Sequence, residues 1–299
     1  MTLYCIMTVA QAGVHASDLA LERACHARNI SYQRLICEDV LLDDLRNAAY
    51  DASDLVYRIS TSNKAVSIES LLTHLHPQLT TIYSSRTQRY PFRNFRELSQ
   101  QLTSGLEIIP TQLVDSAWAQ LTAEAVDERI AALGGYPIVM KRLGLSHGQG
   151  VSLVQSSDEL RTAVQQLSAS DSVILRKYLA DYHHYRLIVV AGKVVSAIEY
   201  HKPDDDFRTN AMAEPDVSAV AVEDLEPATI KLATDAAALR HSLLAGVDIL
   251  VDKQDNIAYL AEVNVPCYFP RAEGVTGVDI AGQIVDALLA KAQSQEPTS

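Results

Sequence analysis

Chemistry first gathers in this chain where a single lysine meets a run of glycines. The stretch Tyr136-Pro-Ile-Val-Met-Lys-Arg-Leu-Gly-Leu-Ser-His-Gly-Gln-Gly-Val151 carries a short apolar strand, Ile138 to Met140, that delivers Lys141 and opens into a loop. Three of the chain's 12 glycines, Gly144, Gly148 and Gly150, fall within seven residues there. Glycines so close together let successive backbone N–H groups converge on an anion, and a lysine at the mouth adds a point charge for it. The pattern predicts a phosphate cradle. It is not a Walker A loop, because Gly150 is followed by Val151-Ser152. It is not a dinucleotide fingerprint either, because Gly148-Gln-Gly150-Val-Ser-Leu153 lacks the third glycine and leads into a β-like run. Strand, lysine, glycine loop and strand describe a β-hairpin lid over a nucleotide; an ordinary hairpin with a glycine turn has the same outline.

The second concentration is acidic. Ala245-Gly-Val-Asp-Ile-Leu-Val251 and Tyr259-Leu-Ala-Glu-Val-Asn-Val265 are apolar runs interrupted by Asp248, Glu262 and Asn264. Glu262 and Asn264 are two apart and share one face of a strand. With a hairpin loop from Lys253 to Ile257, Asp248 lies directly opposite Glu262. Facing carboxylates on a buried sheet repel, and unpaired burial is costly. Mg²⁺ (or Mn²⁺) resolves both problems, since two carboxylates and an amide oxygen suit a hard cation that also touches ATP phosphates. The alternative pairs each acid with an arginine or places it at a sheet edge.

Elements must be laid out to bring these two stretches together. Residues 1–88 read as a small α/β lobe: strands at Leu3–Val9, Tyr32–Ile36, Asp54–Ile59 and Leu79–Tyr83 alternate with helices at Ser17–Arg28 and Ser67–His76, which implies a mostly parallel sheet. Leu19, Ala20, Cys25 and Ala27 supply the apolar face expected of the first helix. His74 and His76, two apart at a helix end, diverge and do not form a metal pair. Residues 89–179 hold helix Arg93–Ser104, one or two helices within Asp115–Leu133, the lysine–glycine stretch, a cap at Ser157-Asp-Glu-Leu160 leading into Arg161–Leu167, and a strand at Ser172–Leu179. In residues 180–292 come a hairpin of Arg186–Val190 and Val194–Tyr200 turning at Gly192-Lys193, helix Pro227–Leu244, the acidic hairpin, and helix Val278–Ala292. Residues 293–299 have the composition of a disordered tail.

The whole-chain numbers narrow the classes. In 299 residues, 48% are hydrophobic and 21% charged, as in a soluble globular protein, and no apolar run approaches a membrane span. A net charge of −12 argues against nucleic acid as the main partner. Against that background Arg86, Arg89, Arg93 and Arg96 form either a solvated helix face or a stripe facing anionic ligands. Four scattered cysteines (Cys5, Cys25, Cys37, Cys267) without a Cys-x-x-Cys pair suit buried thiols in a reducing cytoplasm. The N-terminus lacks the basic start of a signal peptide.

Taken in order, the motifs resemble the ATP-grasp superfamily, and within it the ribosomal-protein-S6 glutamate ligase (RimK-type) branch. The matching pieces are Tyr136–Val151, Leu175–Leu179, Tyr185-Arg-Leu-Ile-Val-Val190, Asp206-Phe-Arg-Thr-Asn210, Gly246-Val-Asp-Ile-Leu250 and Ala261-Glu-Val-Asn264, with Asp54-Leu-Val-Tyr-Arg-Ile59 resembling that branch's first lobe. The resemblance spans residues 54 to 290. It implies an α/β (α+β) fold in three parts: a small parallel lobe, a central lid subdomain, and a C-terminal antiparallel-sheet subdomain, with ATP between the last two. It also implies an ATP-dependent carboxylate–amine ligase working through an acyl phosphate, with an amino acid, a peptide or a small-molecule carboxylate as substrate. A peptide cyclase, a non-catalytic ATP-binding module and a small-molecule kinase are the alternatives. Oligomers of the branch point to a homodimer or homotetramer.

Site roles follow from the same resemblance. Lys141 and Arg93 (with Arg89 or Arg96 as other registers) would contact nucleotide phosphates, and Ser146, His147, Gly148 and Gly150 would close over them. Arg176, Lys177, Tyr178 and Leu179 would form the hinge against the adenine. Asp248, Glu262 and Asn264 would hold Mg²⁺, Arg208 and Asn210 would serve the transferred phosphate, and Arg186 would lie near phosphate or substrate. Arg58 would hold the acceptor carboxylate. Departures are specific: the hinge reads Arg176-Lys177-Tyr178 where the branch has Gln-Glu-Tyr/Phe, so Lys177 cannot accept a hydrogen bond as Glu would. His184 replaces an Asp, Ala211-Met-Ala-Glu214 lacks the branch's glycines, and Val265-Pro-Cys-Tyr-Phe-Pro-Arg271 replaces the usual Pro-Gly on the acceptor side.

Overall fold

The computed structural model describes residues 1–40, 48–60, 62–82, 104–114, 116–142, 150–167, 173–203 and 215–295. Strands β1 (Thr2–Met7), β2 (Ser31–Ile36), β3 (Leu55–Arg58) and β4 (Thr80–Thr81) form a parallel sheet in the order β2-β1-β3-β4. β1 is buried on both faces: Leu3, Cys5 and Met7 enter one core while Ile6 enters another. Helix α1 (Ala16–Ala27) buries Ala20, Leu21, Ala24 and Cys25, together with Asp18. The apolar face is therefore rotated from the expected Leu19 and Ala27, because Asp18 is fully satisfied inside. Its carboxylate accepts from Gly13 N–H, the Tyr32 hydroxyl and Arg34 Nε at 2.6–2.9 Å. Helix α2 (Asn63–Leu75) begins four residues before the expected Ser67, where Ser62 caps the Ala65 N–H at 3.2 Å.

The second sheet is antiparallel and small. Strands β5 (Thr111–Val114), β6 (Ile138–Arg142), β7 (Val151–Val154) and β8 (Val173–Lys177) lie in the order β5-β8-β6-β7. One of its faces packs against α3 (Ala123–Ala131) and α4 (Ser157–Gln165), giving a core of Ile138, Met140, Val154 and Leu175 with Val126, Ile130, Leu160 and Val164. Ser156, not Ser157, caps α4, accepting from Glu159 N–H, while Glu159 reaches back to Gln155 N–H. Ser116–Gln120, within the stretch expected to be helical, is a short 3₁₀ turn.

The third sheet contains β9 (Tyr182–Val190), β10 (Lys193–Tyr200), β11 (Val217–Val220), β12 (Leu244–Asp252) and β13 (Ala258–Asn264), in the order β11-β10-β9-β12-β13. Helices α5 (Pro227–Ala238), α6 (Pro270–Thr276) and α7 (Ile280–Gln295) accompany it. β9 starts four residues before the expected Arg186, α5 stops six before Leu244, and α7 continues to Gln295. The β9–β10 turn is Ala191-Gly192, both with positive φ (47° and 77°), as a two-residue hairpin requires.

One core joins the first sheet to the third. Leu3, Cys5, Leu55 and Tyr57 share it with Leu187, Val189, Val247, Ile249, Phe269, Ile284 and Leu288. α7 lies in that junction and is clasped to α1 by Arg28, whose Nε is 2.8 Å from Asp286 Oδ1. The α3/α4 core is separate. All four cysteines are free and buried. Among the described residues no helix is long and apolar enough to cross a membrane.

Candidate functional site

The acidic hairpin lies on the third sheet, the floor, and the second sheet, the ceiling, reaches it through Arg176. Asp248 on β12 lies opposite Glu262 on β13, and Gly246 lies opposite Asn264. The pairing matches the sequence expectation but is reached differently. The hairpin pairs Val251 with Ala258, Leu250 with Tyr259 and Ile249 with Leu260, so Ala261 is an extra residue in the ladder. That bulge shifts β13 by one and brings Glu262 and Asn264 onto the face of Asp248. Gly246 is required by close approach, since a Cβ there would lie 2.6 Å from Cys267 Cβ.

Asp248, only 2% exposed, is the most heavily contacted of the three. Arg186, its neighbour on β9, grips it in bidentate fashion, with Nε 2.7 Å from Oδ1 and Nη2 2.7 Å from Oδ2. Asn264 Nδ2 donates to Oδ2 at 2.9 Å, and His184 Nε2 stands 3.5 Å from Oδ1. Burial alone pushes this carboxyl upward, yet Arg186 and His184 outweigh it and hold Asp248 well below the usual carboxylate range. Burial likewise pulls Arg186 down, and Asp248 more than reverses that. The arginine partner is thus realised for Asp248. Tyr200, with its ring 5.5 Å from the Arg186 guanidinium and 4.9 Å from His184, completes the surroundings. It left no signal in the sequence.

Two carboxylates and the Asn264 amide oxygen remain the donor set on this face, and their hard-oxygen chemistry fits Mg²⁺. Arg186 is the counter-charge that keeps Asp248 ionised within reach of such an ion.

The ceiling is the face of the second sheet turned away from α3 and α4. Ile138 and Met140 point into the α3/α4 core, so Val139 and Lys141 point the other way. Register puts Arg176 beside Val139 on that same face, and Ile174 beside Lys141. The Arg176 guanidinium crosses to the floor, where Nη1 donates to Ala261 O at 3.2 Å. Burial depresses its pKa, and Glu262 across the gap acts to raise it. Lys177 points away, 3.6 Å from Asp252 and over the Tyr259 ring. At this end the sheets are closed by the Ile108–Leu260 bridge and by a small apolar cluster of Ile109, Leu179 and Tyr259 with Tyr182 and Leu250.

Gly150, at the end of the glycine loop, has φ of 68° and its carbonyl accepts from Arg142 N–H at 2.9 Å. Arg93, Ser146, His147, Gly148, Arg208 and Asn210 lie outside the described residues. Arg58, on β3 of the first sheet, is 5% exposed, with Nε 2.7 Å from Glu69 Oε2 and Nη1 2.6 Å from Ser60 O. In this geometry it braces β3 against α2. Burial raises Glu69, and Arg58 works against that rise.

Comparison with known proteins bears on these findings. A family model described as a RimK-like ATP-grasp domain matches residues 92–288. A probable alpha-L-glutamate ligase of Picosynechococcus sp. is 29% identical over 166 residues, covering 54% of each chain. A probable alpha-L-glutamate ligase of Shewanella halifaxensis is 24% identical over 234 residues, covering 74% of this chain and 50% of its own. The chain thus spans about half the length of these relatives. Among solved structures, the ATP-grasp ligase PsnB complexed with minimal precursor superposes with a TM-score of 0.73 at 18% identity, over 97% of this chain and 99% of PsnB. D-alanine–D-alanine ligase from Bacillus anthracis gives 0.64 at 17% identity, over 98% of both chains.

Proposed function

Because the chain belongs to the RimK-like ATP-grasp family, we propose that it is an ATP-dependent ligase joining a carboxylate to an amine. The observation that carries this reading is the opposition of Asp248 and Glu262, with Asn264 on the same face, beneath a sheet that presents Lys141. Acids with an amide oxygen on one wall and a lysine on the other suit a metal-bound polyphosphate. Phosphoryl transfer needs positioning and charge neutralisation more than a nucleophilic side chain, and those are what the cleft supplies. A substrate carboxylate attacks the γ-phosphoryl group, giving an acyl phosphate and ADP. An amine then attacks the acyl carbon, and phosphate leaves as the amide forms.

In this reading Asp248, Glu262 and Asn264 would hold Mg²⁺, which when bound would neutralise and orient the phosphates. Lys141 steadies the same phosphates from the ceiling. Arg186 keeps Asp248 ionised and in place. Arg93, Ser146, His147, Gly148, Gly150, Arg208 and Asn210 are proposed to complete the phosphate cradle, and Arg176 to Leu179 the base end. Arg58 is proposed to help hold the acceptor carboxylate from the first lobe, with Glu69 fixing its guanidinium. The division into 1–88, 89–179 and 180–292 is kept as the proposed working boundary.

The substrates are proposed to be amino acids or peptides, supported by relatives named as probable glutamate ligases and by a neighbour, PsnB, solved with a precursor peptide. Mass spectrometry of reactions with ATP, Mg²⁺ and pooled amino acids or peptides tests the reading. A product heavier by one amino acid or peptide minus water is expected for ligation between molecules. A peptide lighter by water indicates cyclisation, and a gain of phosphate alone contradicts the ligase assignment.

A further inference from the structure

We propose that the first lobe carries a separate small-molecule site, on the face of its sheet turned away from α1, that binds an organic ammonium with an apolar body. The site lies outside the floor and the ceiling and does not depend on the ligase reading.

Helix α2 covers part of that face, where Ile6 of β1 and Val56 of β3 pack against Ile68 and Leu72. β2 is the edge strand, and beyond that core it borders a cavity of about 400 Å³. Small-molecule sites begin at about 300 Å³, so the space suits a compact ligand. Tyr4 on β1 with Gln33 and Leu35 on β2 line it from the sheet. Register sets Tyr4 beside Gln33, and alternation puts all three on the face opposite Cys5, which enters the α1 core. Val40, Tyr50 and the exposed Asp39 line it from the segments that follow β2. The Tyr4 and Tyr50 rings meet edge to face with centroids 5.0 Å apart, and Tyr50 also meets His76 at 4.7 Å, so its ring is fixed from two directions.

Charge decides what such a cavity takes. Asp39 supplies a carboxylate at the cavity itself. Burial first, then Asp54 and Asp51, raise the Tyr4 hydroxyl above the ordinary tyrosine pKa, so negative charge stands on that side as well. Among the described lining residues Arg34 is the one basic side chain. Its guanidinium is spent on the α1 side, with Nε 2.8 Å from Asp18 Oδ2 and Nη2 2.7 Å from Glu22 Oε2. An anion therefore finds no counter-charge here. An ammonium finds a carboxylate and the negative faces of tyrosine rings, while its apolar body rests on Leu35 and Val40.

The test uses three probes that share a phenyl ring and differ in charge: 2-phenylethylammonium, 2-phenylethanol and phenylacetate. Each is added to the full chain at neutral pH without nucleotide, and binding is read by saturation-transfer NMR and by melting temperature, which rises for a ligand of the folded state alone. The ammonium is expected to bind and raise the melting temperature, the alcohol to bind more weakly, and phenylacetate not to bind. D39N should weaken the ammonium about threefold and leave the alcohol unchanged. Y50L keeps apolar bulk without the ring and should weaken the ammonium about fivefold. No binding of the ammonium, or phenylacetate binding as well as the ammonium, overturns the proposal. So does ammonium binding that neither variant changes, since the amine then sits elsewhere on the chain. If Y50L does not fold, D39N, on an exposed side chain, decides alone.

Discussion

The ceiling and the floor of the cleft differ in how they are attached to the rest of the molecule. The floor sheet shares one continuous core with the first lobe, from Leu3 and Tyr57 through Val247 and Phe269 to Leu288. The ceiling sheet has a core of its own, closed by α3 and α4. Its described contacts with the floor are few: the Ile108–Leu260 bridge, Arg176 to Ala261, Lys177 to Asp252, and the small cluster around Leu179. The charge follows the same division in part, with Asp248 and Glu262 on the floor beside Arg186, and Lys141 and Arg176 on the separately cored ceiling. A metal site needs donors held to fractions of an ångström, so it belongs on the side with the larger core. A lid needs to move as a unit, which a self-contained core allows.

Five substitutions probe that contrast, taken from the largest effect to the smallest. R186L leaves the Asp248 carboxylate buried without its bidentate partner, and breaking such a pair costs about 3–5 kcal/mol. Chemical denaturation should show that loss in the main transition of the fused core. L260A, on the floor, and L175A, on the ceiling, both remove fully buried leucine side chains, at about 2–5 kcal/mol each. Their distribution should differ. L260A lowers the main transition, while L175A loosens residues 116–177 preferentially, visible as faster local hydrogen exchange or proteolysis there. Equal loosening of both halves by L175A would show that the ceiling is not an independent unit.

G246A introduces a Cβ 2.6 Å from Cys267 Cβ and 3.9 Å from Arg186 Cδ. Overpacking of this kind costs about 1–3 kcal/mol and should disturb metal affinity as well as melting temperature. The smallest effect is D286N at the α1–α7 clasp. Asp286 is mostly exposed, so the loss is expected to stay under about 1 kcal/mol. The hydrogen bond from Arg28 holds its pKa below the ordinary aspartate value, against a smaller opposing effect of burial. Its contribution is therefore complete above that ordinary value and fades as pH falls through the depressed one. Melting curves of the natural chain and D286N should converge at acid pH and separate at neutral pH.

The floor was largely legible in the sequence because a carboxylate in an apolar strand breaks the pattern. Asp248, Glu262 and Asn264 are such breaks, and their opposition survived an error in loop length because the Ala261 bulge compensates for it. The bulge itself was invisible, since alanine carries no mark of unpaired backbone. The Arg186–Asp248 grip could not be read either: it depends on β9 and β12, 62 residues apart, being neighbours. In the first lobe, Asp18 concealed the true face of α1 because its burial depends on partners from β2 and the preceding loop. The parallel order of the first sheet and the antiparallel hairpins of the third followed from strand–helix alternation and short turns. Strands β5 and β11, each of four residues, are too short to show periodicity.

Replacing Glu262 with glutamine keeps the shape of the floor while removing one of the charges proposed to hold Mg²⁺. Nucleotide titrations of the natural chain and E262Q, with and without Mg²⁺, test the assignment of the floor most directly. The account predicts Mg²⁺-dependent binding in the natural chain, loss of that dependence in E262Q, and product formation reduced about 10²-fold or more. Undiminished Mg²⁺ dependence and undiminished product formation in E262Q would contradict it.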